Sequence, residues 1–571
     1  MKKILSLFFI MVINLISFSQ EAVDSISNTS QAQTSSNENG EKRKINWGSI
    51  SGNFQADGQY YINDPSIGAV EVKEKFLLGS YSNIVYTLGN FSAGLRFEGY
   101  MNTLQGFPNT GGANDGIGFP YKWANYTNDF LDITVGNFYE QFGNGLILRS
   151  YEEKMLGIDN ALMGLKIKAN PYKSIYIKGV IGKQRNYWEL GDGIVRGIDM
   201  EIAFNELITK MNESDFIAII GGSFVSKFQK QDHPIYNLPN NVAAAAGRVD
   251  LSYKRFNLVS EYAYKINDPS YDNKFIFKPG QAFMINASYS QKGLGINLSS
   301  KWLDNMSFRS DRDASLTELN INQLPELTRN HSYTLPAFYP YSTQINGEWG
   351  AKAEVMYKFA KNTPLGGKYG TLITVNFSRV HDIKKNQIND TIPIGQSGTM
   401  GYDAPFFAIG KELYYQDANI EIQKKWTKNF QTTLSYVNLI YNYNKLRGKT
   451  DHENVIAHIG IVDGSYKFNN GMALKAEVQG MFTKQDEGSW LYGLIEYTIP
   501  NWFFSVFNSW NYGNHDGNRQ NYYGAAFGFT KGGNRIQLSY GKQRAGVMCI
   551  GGVCRNVPAT NGVSISISST F

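Results

Sequence analysis

From Trp47 to Phe571 the sequence predicts one all-β fold, a single transmembrane up-and-down antiparallel β-barrel of about 24 strands, with 20 and 26 as bounds. Three observations carry that reading. Apolar and polar residues alternate with period two in run after run. These runs reach on the order of ten residues, whereas strands in soluble sheets average about five or six. Short turns alternate with long polar segments, as in a barrel with tight periplasmic turns at one rim and larger extracellular loops at the other.

Each element has its own justification. The first strand sets Ile50, Gly52, Phe54, Ala56, Gly58, Tyr60 and Ile62 on one face and Ser51, Asn53, Gln55, Asp57, Gln59 and Tyr61 on the other. The same alternation returns at Val249, Leu251 and Tyr253, and at Leu474, Ala476 and Val478. It closes the chain at Val563, Ile565 and Ile567, set against Ser564, Ser566 and Ser568. Period alone does not say which face meets lipid. Tight turns are predicted at Leu88-Gly89-Asn90, Lys292-Gly293 and Gly532-Gly533-Asn534. Longer polar connections are predicted at 101–120, 141–159, 227–240, 266–279, 381–405 and 512–520, the longest at 305–345. Trp490, Tyr492, Tyr497, Trp502 and Trp510 sit near strand ends, where aromatic girdles meet the membrane interface.

Composition narrows the function classes. Charged residues make up 18% of the chain, below the roughly 25% of soluble domains, and beyond the N-terminus no run approaches the ~20 apolar residues of a spanning helix. Crossing by helices is therefore excluded. A net charge of +6 with acids and bases interspersed gives no basic patch, so nucleic acid is not an expected partner. Residues 1–19 read as a signal peptide: Lys2 and Lys3, an apolar stretch from Ile4 to Ile16, then Ser17-Phe18-Ser19 before Gln20. Its removal would take away two lysines and no acid, leaving +4. No cysteine follows, so a lipid anchor is not expected. Residues 20–46, rich in Ser, Asn, Gln, Thr and Glu, read as a disordered periplasmic leader.

The terminal stretch Val563-Ser-Ile-Ser-Ile-Ser-Ser-Thr-Phe571 resembles the sorting signal that barrel-assembly machinery reads, with Val563, Ile565, Ile567 and Phe571 as its apolar positions. Two other stretches are more distinctive: Val135-Gly-Asn-Phe-Tyr-Glu-Gln-Phe-Gly-Asn-Gly-Leu-Ile-Leu-Arg149 followed by Ser-Tyr-Glu-Glu153, and Cys549-Ile-Gly-Gly-Val-Cys554. With them the chain is similar, over 47–571, to a poorly characterised family of Bacteroidota outer-membrane β-barrel proteins. The resemblance implies a barrel in the cell outer membrane, with outer-membrane lipids and the assembly machinery as partners. It carries over no catalytic or ligand residue.

Chemistry in a barrel belongs to the lumen. Its expected polar faces carry both signs: Lys166, Lys168, Lys178, Arg248, Lys254, Lys265 and Lys475 against Asp57, Asp132, Asp199, Glu201, Asp250, Glu261, Glu421 and Glu477. This mixture makes neither an anion nor a cation ring, and the charges are expected to pair between strands. A barrel this wide needs an obstruction, because larger barrels have plugged lumens. Inward folding of 305–345, 381–405 and 141–159 is the expected one. In the last of these, Gly143-Asn-Gly145 turns the chain, and Arg149 beside Glu152 and Glu153 pins it to the wall. For 305–345 an exposed external loop is the competing reading. Gly524, Ala526 and Gly528 are expected to leave open space.

Enzyme readings are weak. His233, His331, His381, His452, His458 and His515 are scattered, Gly395-Gln-Ser-Gly398 lacks nucleophile-elbow spacing, and Asp311 with Asp313 is a common loop pattern. His458 faces lipid or lumen according to register. No enzyme activity, cofactor or metal is expected. Cys549 and Cys554, with Gly551 and Gly552 between them, are expected to form a disulfide in an exported loop. Two functions fit: porin-like passage of small polar solutes through a lumen narrowed by loops, or a non-catalytic scaffold within a larger outer-membrane secretion or assembly complex with other envelope proteins.

Overall fold

The computed structural model describes residues 46–102, 116–230 and 233–571. The expected signal peptide and all but the last residue of the expected leader lie outside them. Twenty-four antiparallel strands form one sheet, from Ser49–Tyr61 to Thr560–Thr570. These two strands pair with each other, Tyr60 opposite Val563 and Asn53 opposite Thr570, so the sheet has no free edge. Consecutive barrel strands are sequence neighbours throughout. Among the described residues no helix is long and apolar enough to cross a membrane. Among the described residues the only helices on the short-turn rim are single turns, Phe204–Leu207 and Thr209–Asn212.

Alternation now acquires a direction. In the strand Thr371–Ile383, Val375 and Phe377 are exposed outward while Asn376 and Ser378 are buried inward. In Asn534–Gln543, Ile536, Leu538 and Tyr540 are exposed and Gln537 and Ser539 point inward. Apolar residues outside and polar residues inside reverse the soluble arrangement and suit a hydrocarbon solvent. His458, alongside the exposed Ile456, is on the outer face, where the Tyr436 hydroxyl meets its Nδ1 at 2.8 Å.

The C-terminal strand closes the ring closely. Gly52 and Phe571 exchange backbone hydrogen bonds of 2.8 and 3.0 Å, and a Cβ on Gly52 would come within 2.6 Å of the Phe571 ring. Val563 and Ile565 of that strand are exposed on the outer face. In the two-residue turn Lys292-Gly293, Gly293 sits at φ +84°, where a side chain would be strained.

Trp502 and Trp510 are outward-facing, as the girdle reading expects. Trp490 and Tyr492 are not: both point inward and are buried against loop residues, because their register matches the lumen parity of Glu496. Lys254 also departs from its expected place. It lies in the turn Lys254-Arg255 at φ +53°, more than half exposed at the rim.

Segment 384–408 departs from its expected role as an inward obstruction. Tyr402 crosses the rim, its hydroxyl donating to Asp304 at 2.6 Å, and the chain then lies on the outer wall. There the Phe406 ring is 5.1 Å from Trp302 and 6.0 Å from Tyr262, and Phe407 is 5.7 Å from Phe283. Trp302 is fully buried as a result. The cause is local: Tyr262, Phe283, Trp302 and Trp349 stand side by side in register on the outward parity, and only something outside the wall can cover them.

Candidate functional site

The lumen is filled on one side by two loops. Segment 139–161 turns inward at Gly143 and Gly145, with φ of +50° and +85°, and the carboxylate of Glu261 accepts from the backbone and side-chain amides of Asn144 at 2.7 Å. Phe142, Leu146, Ile147 and Leu148 are thereby buried against Val180, Val195, Val225, Val242 and Ala244. Each such side chain contributes on the order of 1.5–3 kcal/mol of apolar burial.

The connection 305–347 is not an exposed external loop. It runs beside the first segment: Arg149 N donates to Ile321 O at 2.8 Å, Gln323 N to Gly145 O at 3.1 Å, and Asn322 Nδ2 to Leu146 O at 3.0 Å. Met306, Phe308, Ile321 and Leu324 complete the same apolar cluster. The loop then crosses the lumen, and Leu335, Tyr339 and Tyr341 pack against Val437, Leu439, Ala457, Ile459, Met481 and Trp490 on another part of the wall.

Charges fasten this plug. Arg96 holds Glu152 through two hydrogen bonds, of 2.8 and 3.1 Å, and reaches Asp159 at 3.2 Å; Arg185 binds Asp159 and Glu98 at 2.5 Å each. Lys168 and Lys178 reach Glu140 at 2.9 and 3.6 Å. Lys227 and Arg312 share Asp268 at 2.7 and 2.9 Å. Farther round the wall Arg329 meets Glu421, and His331 meets Asp417, each at 2.8 Å. Burial raises the Glu152 carboxyl above its ordinary value, opposed by Arg96, and lowers the Lys154 ammonium.

The individual sequence expectations divide on this geometry. Glu152 does pin the first loop. Glu153 instead accepts from Met155 N at a one-turn helix start, and Arg149 lies 4.9 Å over the Tyr151 ring. Asp199 and Glu201 pair with Arg248 at 2.8 and 2.7 Å, and Asp57 accepts from Ser566 Oγ at 2.6 Å. Lys166 sits 5.9 Å from the Phe138 ring. Asp311 accepts from Gln229 and from Asp313 N, as in an ordinary loop turn. Gly524 and Gly528 leave no space: a Cβ on either would strike the ring of Phe507 or Phe503, which lies directly across the strand pair. Sequence reasoning missed Arg96, Arg185, Asp268, Arg312, Arg329 and Arg544. Arg96 with Glu98 on one parity of Phe91–Met101 was the only local signal for any of them.

Cys549 and Cys554 are joined in a small hairpin, Gly546–Ile550 paired with Val553–Val557, in the connection before the last strand. The hairpin folds over the long loop. Gln323 Nε2 donates to Gly551 O and Thr343 N to Gly552 O, both at 3.0 Å. It therefore clamps the plug from the opposite wall, beyond merely stiffening its own loop. Glu326 lies under the hairpin tip, where burial pushes its carboxyl up to about 7 against the opposing pull of Asn330, Lys301 and the Gly552 amide. An unfolded glutamate titrates near about 4.3. Between these values the closed junction binds more protons than the open one, so its stability falls as pH rises, and the loss is complete above about 7. We predict that hairpin amides, corrected for intrinsic rate, exchange faster at pH 8.5 than at pH 6. In Glu326→Gln the two rates become equal; an unchanged wild-type pH profile in that variant refutes the assignment.

Two cavities lie between plug and wall. The larger, about 740 Å³, is bounded by 328–341, the disulfide hairpin and wall residues Tyr492, Phe507, Ser509, Tyr522 and Lys542. The smaller, about 170 Å³, lies between 152–160 and the wall at Gln55, Asp57, Tyr81 and Glu98. Lys154 borders the small cavity and its neighbour Met155 the large one.

Comparison with solved structures returns large barrels that share the architecture alone. The P pilus usher PapC translocation pore matches with a TM-score of 0.44 at 9% identity, over 91% of this chain and 99% of that one. The siderophore receptor PirA from Pseudomonas aeruginosa gives 0.37 at 8% identity, over 92% and 81%. OccAB4 of Acinetobacter baumannii gives 0.32 at 10%, over 92% and 100%. These neighbours are outer-membrane channels, porins and receptors. A search of curated proteins by sequence finds no match. The model of a family of unknown function, DUF6029, matches residues 1–571, and the chain belongs to that family.

Proposed function

We propose that the protein is an outer-membrane barrel that passes small polar solutes along an off-centre route, between the plug and the wall strands from Trp490 through Thr560–Thr570 to Ser49–Tyr61. Val563, Ile565, Ile567 and Phe571 act in this reading as the signal by which assembly machinery inserts it. The observation that carries the proposal is the position of the two cavities. Both lie on the side that the plug leaves, and the segment Lys154-Met155 borders each. The opposite wall is packed by apolar burial and ion pairs, which supports a route confined to the other sector.

Single-channel recording of the refolded full chain in a planar bilayer tests this. Steady ohmic steps are expected, and Met155→Trp, which adds bulk at the join between the cavities, is expected to cut them by more than half. A silent bilayer containing inserted protein overturns the passage reading and favours a sealed scaffold for other envelope proteins.

A further inference from the structure

The charged groups lining the larger cavity have one sign. Arg329, Lys542 and Arg544 face it beside the His331 ring, and among the described residues no carboxylate does. Their acidic partners stand behind the lining: Glu421, Asp417, Asp64 and Glu487, at 2.8, 2.8, 2.5 and 2.8 Å. The Arg329, Lys542 and Arg544 pairs are thus dipoles with their cationic ends toward the cavity, an arrangement that favours anions. The smaller cavity has the opposite bias, with Asp57, Glu98, Glu152, Asp159 and Glu318 around Lys154 and Arg185. The sorting of charge between the two spaces is not what the mixed composition of the lumen would give by itself.

Rings supply the rest of the lining. Tyr333, Phe338, Tyr492, Phe507 and Tyr522 border the same space, with Tyr492 and Phe507 stacked 6.2 Å apart. Arg544 joins the two kinds of surface. Its guanidinium lies 3.9 Å over the Phe338 ring and 5.5 Å from Trp490, which fixes its plane while one nitrogen serves Glu487. A guanidinium carries five N–H donors, so one held this way still has donors for a second carboxylate.

We propose that this cavity is a binding site for a small organic anion, a carboxylate attached to a six-membered ring that can stack on aromatic faces, with Arg544 and Arg329 receiving the carboxylate and the Phe338–Tyr492–Phe507 surface receiving the ring. An aromatic acid and a sugar acid share that chemistry. The proposal names the solute class of the passage above and rests on that reading for its physiological meaning, but binding is measured independently of flux.

Titration calorimetry of the detergent-solubilised full chain, with benzoate and glucuronate as probes and benzyl alcohol and glucose as their neutral counterparts, is the test. At least one acid is expected to bind, about tenfold or more tighter than its neutral counterpart. Which acid binds decides between aromatic and saccharide sources. Arg544→Gln is expected to weaken the acid by about tenfold and leave the neutral counterpart unchanged. Phe338→Leu is expected to weaken the ring-bearing acid and leave acetate unchanged. Retention of the heat-modifiable gel shift shows that each variant folds. Equal binding of acid and neutral forms, no binding of either acid, or no effect of Arg544→Gln in a folded variant overturns the site while leaving the conductance result standing. Binding without conductance keeps the site and removes the passage.

Discussion

Replacing residues 306–346 by a short Gly-Ser turn is expected to raise single-channel conductance several-fold, on the order of tenfold, because a barrel of this size is wide once emptied. The geometry permits the excision. Leu303 and Glu348 face each other in register, so a tight connection can join the two strands without shifting either. The excised segment contributes to both halves of the obstruction: Met306, Phe308, Ile321 and Leu324 beside segment 139–161 on one side, Leu335, Tyr339 and Tyr341 on the other. It also carries Arg312, Arg329 and His331, whose wall partners become solvated rather than left in a dry interior. The barrel ladder is untouched, so the heat-modifiable gel shift is expected to persist. Conductance equal to wild type in the folded variant would mean that this loop does not restrict the lumen.

That the loop fills the lumen was half legible. Length and polar composition in 305–345 fit either an external loop or a plug. The deciding sign lay in the wall, in Asn241–Tyr253, where Val242, Ala244 and Ala246 share the inward parity with Arg248 and Asp250. A wetted lumen has no reason to be apolar at the loop end of a strand; a covered one does. Alternation made the strands and their approximate number readable because lipid and lumen impose it on every one of them. Pairings such as Arg329 with Glu421 join residues about ninety positions apart, and no local pattern encodes them. The misplacement of 381–405 has a similar origin. Tyr262, Phe283, Trp302 and Trp349 make an outer strip only once register is known, and that strip holds Phe406 and Phe407 outside the wall. Gly524 and Gly528 misled for a related reason, since the space a glycine leaves is taken by whatever ring stands opposite it.

Glu348→Ala, at the wall end of the long loop, is expected to be strongly destabilising. Lys301 and Glu348 are both fully buried and 2.6 Å apart, at the root where the long loop returns to the wall. Lys301 also donates to Pro325 O, and Glu348 accepts from Gln344 N and from the Tyr341 hydroxyl, so this pair ties three points of the loop together. Removing the carboxylate strands an ammonium away from water, and breaking a buried pair this way costs about 3–5 kcal/mol. Removing both charges costs much less, because apolar residues of similar volume often replace a buried pair at no loss. The double variant Lys301→Met with Glu348→Leu is therefore expected to recover most of the stability that Glu348→Ala loses. Guanidinium unfolding in detergent, followed by loss of the heat-modifiable band, separates the cases. A midpoint for Glu348→Ala equal to wild type, or a double variant no better than the single one, contradicts the pair's role at the root of the plug. The same single variant also bears on passage, since a loop loosened at this root is expected to show flickering conductance where the double variant shows steady steps.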